Sequence, residues 1–83
     1  MNDETIKKII SEMFNELGKR VREPKIKKYL KKYGINNEDE MLKILIRAED
    51  LGLLTICASP HKYGEILVVK GKIKSNDKNM MLF

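Results

Sequence analysis

Residues 26–54 read IKKYLKKYGINNEDEMLKILIRAEDLGLL, and this stretch decides the fold. Ile26, Tyr29, Leu30 and Tyr33 recur at i, i+3, i+4, i+7, the spacing of one buried helix face. Gly34 can stop that helix in left-handed backbone, and Ile35 is placed for the hydrophobic contact of a Schellman stop. Asn36 and Asn37 open a second helical run. Asn37 with Glu40 has capping-box spacing, Asn standing in for Ser or Thr. Met41, Leu42, Leu45, Ala48 and Leu51 fall on the inward face; Asp39, Glu40, Lys43, Arg47 and Asp50 fall on the outward one. Gly52 ends the run.

Beyond Gly52 the apolar period shortens. Leu54, Ile56 and Ala58 alternate with Thr55 and Cys57, as in a half-buried strand. Residues 59–64 are dense in turn formers, and Ile66, Leu67, Val68 and Val69 supply a returning strand, so an antiparallel hairpin is expected near 54–58 and 65–70. On the other side of the central stretch, Pro24 suits the first turn of a helix over 24–33. Val21 between charged neighbours fits a strand of one or two residues. Ile6, Ile9, Ile10, Met13, Phe14 and Leu17 form one apolar stripe, which predicts a first helix over 3–17 with Asn2 or Asp3 as cap and Gly18 as stop. The third helix is expected over 37–51.

The chain has 83 residues, enough for one domain with one small core. Its 42% apolar and 35% charged composition is that of a globular chain. No apolar run approaches the roughly 20 residues of a membrane span, and no secretory leader is visible at the start. The single Cys57 can form neither an internal disulfide nor, alone, a structural zinc site. A reducing, cytoplasmic setting is expected.

Charge is distributed in blocks. Residues 19–32 carry Lys19, Arg20, Arg22, Lys25, Lys27, Lys28, Lys31 and Lys32 against Glu23, a net of +7 within a chain of net +5. Residues 1–18 and 36–51 are net acidic, and residues 61–83 are net basic. A basic patch in mid-chain favours a polyanionic partner.

The order helix, short strand, helix, tight turn, helix, hairpin resembles the winged helix-turn-helix fold. Ile26–Ile35 resembles the helix and glycine turn of such domains, and Ala48–Leu54 resembles the end of their third helix. The pattern is also similar to the C-terminal winged-helix domain of archaeal minichromosome maintenance helicases, although the wing here is longer and more apolar. The resemblance implies an α+β, mostly α, fold: three helices plus a two- or three-stranded β-hairpin wing over 1–71. Residues 72–83 then form a basic, loosely ordered tail ending in the apolar tetrapeptide Met80–Phe83.

In DNA-binding members of this class the third helix enters the major groove and the wing touches an adjacent groove or the backbone. The resemblance therefore places Asn36, Asn37, Glu40, Lys43 and Arg47 towards the groove, with Arg47 the best candidate for a guanine, and His61, Lys62 and Tyr63 at the wing; of these, Asn36, Asn37, Lys43, Arg47, His61 and Lys62 are the expected DNA contacts. The basic patch adds Arg20, Arg22, Lys25, Lys28 and Lys32 as phosphate ligands. Glu38, Asp39 and Glu40 depart from this pattern, since they would repel a duplex at the helix end normally nearest the phosphates. Their simpler role is to stabilise the N-terminus of the third helix. Tyr29 and Tyr33 are expected in the core rather than as base-stacking platforms.

Nothing in the chain suggests catalysis. It has no Ser-His-Asp set, no His/Cys cluster and no Gly-rich loop, so neither enzyme activity nor a cofactor is expected. Two functions remain: a small regulator of transcription that binds double-stranded DNA, or a winged helix used for protein contact in a replication or transcription assembly. A homodimer, with the tail or the first helix at its interface, would give the apolar tail a place to go. Asn79–Phe83 loosely resembles the clamp-binding peptide of bacterial replication proteins, with Asn79 where that motif begins with Gln.

Overall fold

Three helices and three short strands follow one another as α1 (Asp3–Leu17), β1 (Arg20–Arg22), α2 (Glu23–Lys31), α3 (Glu38–Asp50), β2 (Leu54–Ala58) and β3 (Ile66–Lys70). The computed structural model describes residues 1–60 and 62–71. The expectations for the tail and for His61 lie outside the described residues. Among those described, no helix is long and apolar enough to cross a membrane.

The helices begin and end where side-chain chemistry provides for their free backbone groups. The Asn2 side chain accepts from Thr5 N–H at 2.9 Å at the start of α1. Asn37 accepts from Glu40 N–H at 2.8 Å at the start of α3. Two Schellman stops close the later helices. After α2, Ile35 N–H reaches Leu30 O at 3.2 Å and Gly34 N–H reaches Lys31 O at 3.1 Å. After α3, Leu53 N–H reaches Ala48 O and Gly52 N–H reaches Glu49 O, both at 3.0 Å. Gly34 and Gly52 have φ of +79° and +77°, backbone that a Cβ would strain.

The strands form one antiparallel sheet in the order β1-β3-β2. Ile56 lies opposite Val68 across the hairpin, and Val68 lies opposite Val21 across the other side of β3. The Val21 segment is thus a full three-residue strand, longer than the one or two residues expected, because β3 offers it a complete partner. Two glutamates finish the sheet where its ladder lapses. Glu49 accepts from Ile56 N–H at 2.9 Å on the β2 edge. Glu23 accepts from Ile66 N–H at 3.1 Å where β1 has ended. Both remove a free backbone donor that would otherwise invite another strand.

Each helix lays its apolar stripe on this sheet or on its neighbours. Ile9, Ile10 and Met13 of α1, Ile26 and Leu30 of α2, Leu45 of α3 and Val21, Leu54 and Val68 of the sheet are all fully buried. Burying one such side chain is worth about 1.5–3 kcal/mol relative to leaving it in water. Ile44 belongs to the buried face of α3 as well.

One core assignment is corrected. Tyr33 was expected on the buried stripe of α2, yet it is 39% exposed. The helix ends at Lys31, earlier than the expected Tyr33, and the tight turn before Gly34 swings Tyr33 off the stripe. Its hydroxyl instead donates to Glu12 Oε2 at 2.8 Å on α1. The neighbouring Tyr29 hydroxyl, 3.4 Å away, and that carboxylate together push the Tyr33 hydroxyl well above the usual tyrosine range.

Candidate nucleic-acid interface

The water-facing side of α2 is almost wholly lysine. Ile26, Tyr29 and Leu30 are buried, so the helical period sends Lys25, Lys27, Lys28 and Lys31 outward, with Lys32 at the C-cap. Lys25, Lys28 and Lys32 meet around a hollow of about 270 Å³ whose other walls are Glu16, Leu17 and Tyr29. Lys32 Nζ lies 3.4 Å from Glu16 Oε1 and 4.8 Å above the Tyr29 ring. Lys27 is paired with Glu23 at 3.0 Å, which holds its ammonium in the charged form. Among the described residues, Lys25, Lys28 and Lys31 have no ion-pair partner.

The basic face continues towards the β2–β3 hairpin. Lys62 and Lys27 border a second hollow of about 310 Å³, floored by Pro24 and Gly64 and closed by Glu23, Glu65 and Tyr63. Nothing in the sequence links Lys62 to Lys27; the sheet does so by returning β3 beside the start of α2. Tyr63 at this turn is fully exposed.

The two arginines of β1 have different fates. Arg20 is exposed and, among the described residues, unpaired. Arg22 is held by Glu65, with Nε to Oε1 at 2.7 Å and Nη2 to Oε2 at 3.4 Å. Glu65 is only 8% exposed. The Arg22 guanidinium holds the Glu65 carboxyl below the usual carboxylate range. Arg22 is therefore the counter-charge of a buried acid, a role that two residues 43 apart in sequence could not disclose.

Helix α3 and its lead-in present a different surface. Asn36 Nδ2 donates to Gly34 O at 3.3 Å, and Asn37 is committed to capping, its Nδ2 also donating to Glu40 Oε1 at 3.2 Å. Arg47 grips Asp3 at the start of α1 with both arms, Nε to Oδ1 at 3.0 Å and Nη2 to Oδ2 at 2.8 Å. That bond holds the Asp3 carboxyl low and the Arg47 guanidinium high. The fork that would read a guanine is occupied. Lys43 is exposed and borders a separate hollow with Met1, Ile6, Glu40, Ile44 and Arg47, one that shares no wall with the lysine hollows.

The structure thus brings Lys25, Lys28 and Lys32 together, adds Lys27 and Lys62, and leaves Lys43 and Arg47 on another surface. Among the described residues no group of His, Cys, Asp and Glu could hold a metal ion. Comparison with known protein families, curated proteins and solved structures returns no match.

Proposed function

We propose that the chain is a winged helix-turn-helix protein that binds duplex DNA through its phosphates, with the lysine face of α2 as the principal contact. The element order and the β1-β3-β2 sheet are compatible with that fold. The reading rests above all on Lys25, Lys28 and Lys31, exposed on one helix face and free of counter-ions among the described residues. Unpaired cations displace condensed counter-ions from a duplex, and that release is the main source of sequence-independent affinity. Arg20 and Lys62 extend the contact. The start of α3, with Glu38, Asp39 and Glu40, stays away from the backbone. The protein acts without catalysis, as a regulator of transcription in the cytoplasm.

Electrophoretic titration of random duplex at two salt concentrations tests this. The logarithm of affinity should fall with the logarithm of salt by about 0.9 for each cation engaged. Changing Lys28→Glu together with Lys32→Glu should weaken binding by about tenfold or more at ~50 mM salt. No binding at that salt, or no response to the double change, overturns the proposal.

A further inference from the structure

The outward face of α3 carries an apolar residue with no cover. Ile46 is 54% exposed. Leu42, one turn before it, is half-buried on the same side. Met1, 63% exposed, sits beyond Lys43 on the rim of the adjoining hollow. Asp39, Lys43 and Asp50 border Ile46. This face is not cationic, and Arg47 beside it is already neutralised by Asp3.

Two of these charges form no salt bridge among the described residues, and the Arg47 guanidinium that feels the Asp50 charge is held by Asp3. Asp50 closes α3 at its C-terminal end, where the helix dipole disfavours a carboxylate. Lys43 has no ion-pair partner among the described residues. The two stand about two turns apart on the same flank of Ile46. A two-fold axis between antiparallel helices carries each residue to the same flank of the partner helix, reversed in order. With the axis at Ile46 and Arg47, Lys43 then meets the partner's Asp50, and Asp50 meets the partner's Lys43.

We propose that two copies of the chain pair through α3, antiparallel, with Ile46 packed at the two-fold axis and two reciprocal Lys43–Asp50 ion pairs beside it. The contact is isologous, so it closes at a dimer. It leaves the lysine face of α2 on both copies open, and it stands whether or not that face binds DNA.

The experiment is sedimentation of the full chain over a concentration series, with four variants at exposed positions. The wild type should associate to a dimer. Ile46→Glu should raise the dissociation constant by about tenfold or more. Lys43→Asp alone and Asp50→Lys alone should each sediment as monomers, because each sets like charges opposite one another. An equimolar mixture of those two chains should form a heterodimer, and the chain carrying both changes should recover the homodimer. Unchanged circular dichroism of each variant shows that folding is not the cause. A monomeric wild type, a dimer indifferent to Ile46→Glu, or a mixture that fails to associate overturns the proposal. A failure of the DNA reading shows elsewhere: Lys28→Glu with Lys32→Glu would leave duplex binding unchanged, whatever the oligomeric state.

Discussion

Helices α2 and α3 are built alike on the inside and unlike on the outside. Both bury a stripe of aliphatic side chains, and both end on a glycine in a Schellman stop. Yet α2 shows water lysine after lysine, while α3 shows it Asp39, Lys43, Ile46 and Asp50. The inner stripes and the stops determine the fold, so the outer faces are free to differ. Helix electrostatics explains part of the difference. Glu38, Asp39 and Glu40 lie in the first turn of α3, and Lys28 and Lys31 in the last turn of α2, where the dipole favours each sign. It does not explain Lys25 and Lys27 near the start of α2, or Asp50 at the end of α3. Lys27 is answered within its own helix by Glu23, whereas Lys25 and Asp50 form no salt bridge among the described residues and are the ones that point to partners outside the monomer.

The shared interior is the first thing to break. Leu30 of α2 and Leu45 of α3 are both fully buried. Leu30→Ala and Leu45→Ala should each cost about 2–5 kcal/mol, the range for truncating a packed leucine. Urea unfolding of the two variants should give similar losses. A far smaller loss for Leu30→Ala would mean that α2 is not docked as firmly as α3.

The helix ends come next. At Gly34, with φ of +79°, a Cβ would meet no neighbouring atom, so Gly34→Ala isolates backbone strain. That strain should cost about 1–2 kcal/mol. Asn37→Ala removes the cap on the far side of the same turn and should cost about 0.5–2 kcal/mol. Thermal melts of both variants would show whether the stop of α2 or the start of α3 contributes more to the turn.

Acid should loosen the sheet and the α1–α3 contact together. Glu65, Glu23 and Asp3 all have carboxyls held below their ordinary values, Glu65 by Arg22, Glu23 by the Ile66 N–H and Asp3 by Arg47. Their folded values lie below their unfolded ones. The stability they contribute is therefore complete above the ordinary 4.5 of a glutamate and is lost as pH falls through the folded values. Unfolding followed against pH should show that decline. Glu65→Gln should flatten it, because a side chain that does not titrate cannot supply the slope.

How much of this was legible beforehand follows from range in sequence. The helices and the hairpin fall within about two residues of their expected bounds, since caps, glycine stops and apolar periods act over a few residues. The expected capping of α3 by Asn37 and the Schellman contact of Ile35 are both present. Tyr33 was misplaced because periodicity alone cannot say at which residue before a glycine the helix gives way. The bonds of Arg22 to Glu65 and of Arg47 to Asp3 span 43 and 44 residues, and no local pattern announces them. Those two bonds also change the candidate site most, since each engages an arginine that the sequence alone offered to DNA. The joining of Lys27 and Lys62 around one hollow depended on the β1-β3-β2 order, which the hairpin by itself does not specify.

The smallest expected effect separates the two outer faces most directly. Replacing Glu38→Gln and Asp39→Asn together removes two charges from the first turn of α3, and replacing Lys28→Gln removes one from α2. The α3 change should lower stability by about 0.3–1 kcal/mol for each charge, because the dipole loses its partners. It should also tighten binding to random duplex slightly, because less negative charge approaches the phosphates, while leaving the salt slope unchanged. A carboxylate that touches no phosphate displaces no counter-ion, so its removal alters the field but not the number of ions released. The Lys28→Gln change should do the reverse. Stability should barely move, and the salt slope should fall by about 0.9, the value for one lost phosphate contact. Titrations at several salt concentrations measure both quantities in one series. If the α3 change altered the slope and the α2 change did not, the phosphate contact would lie on α3, and the contrast between the two helices would be inverted.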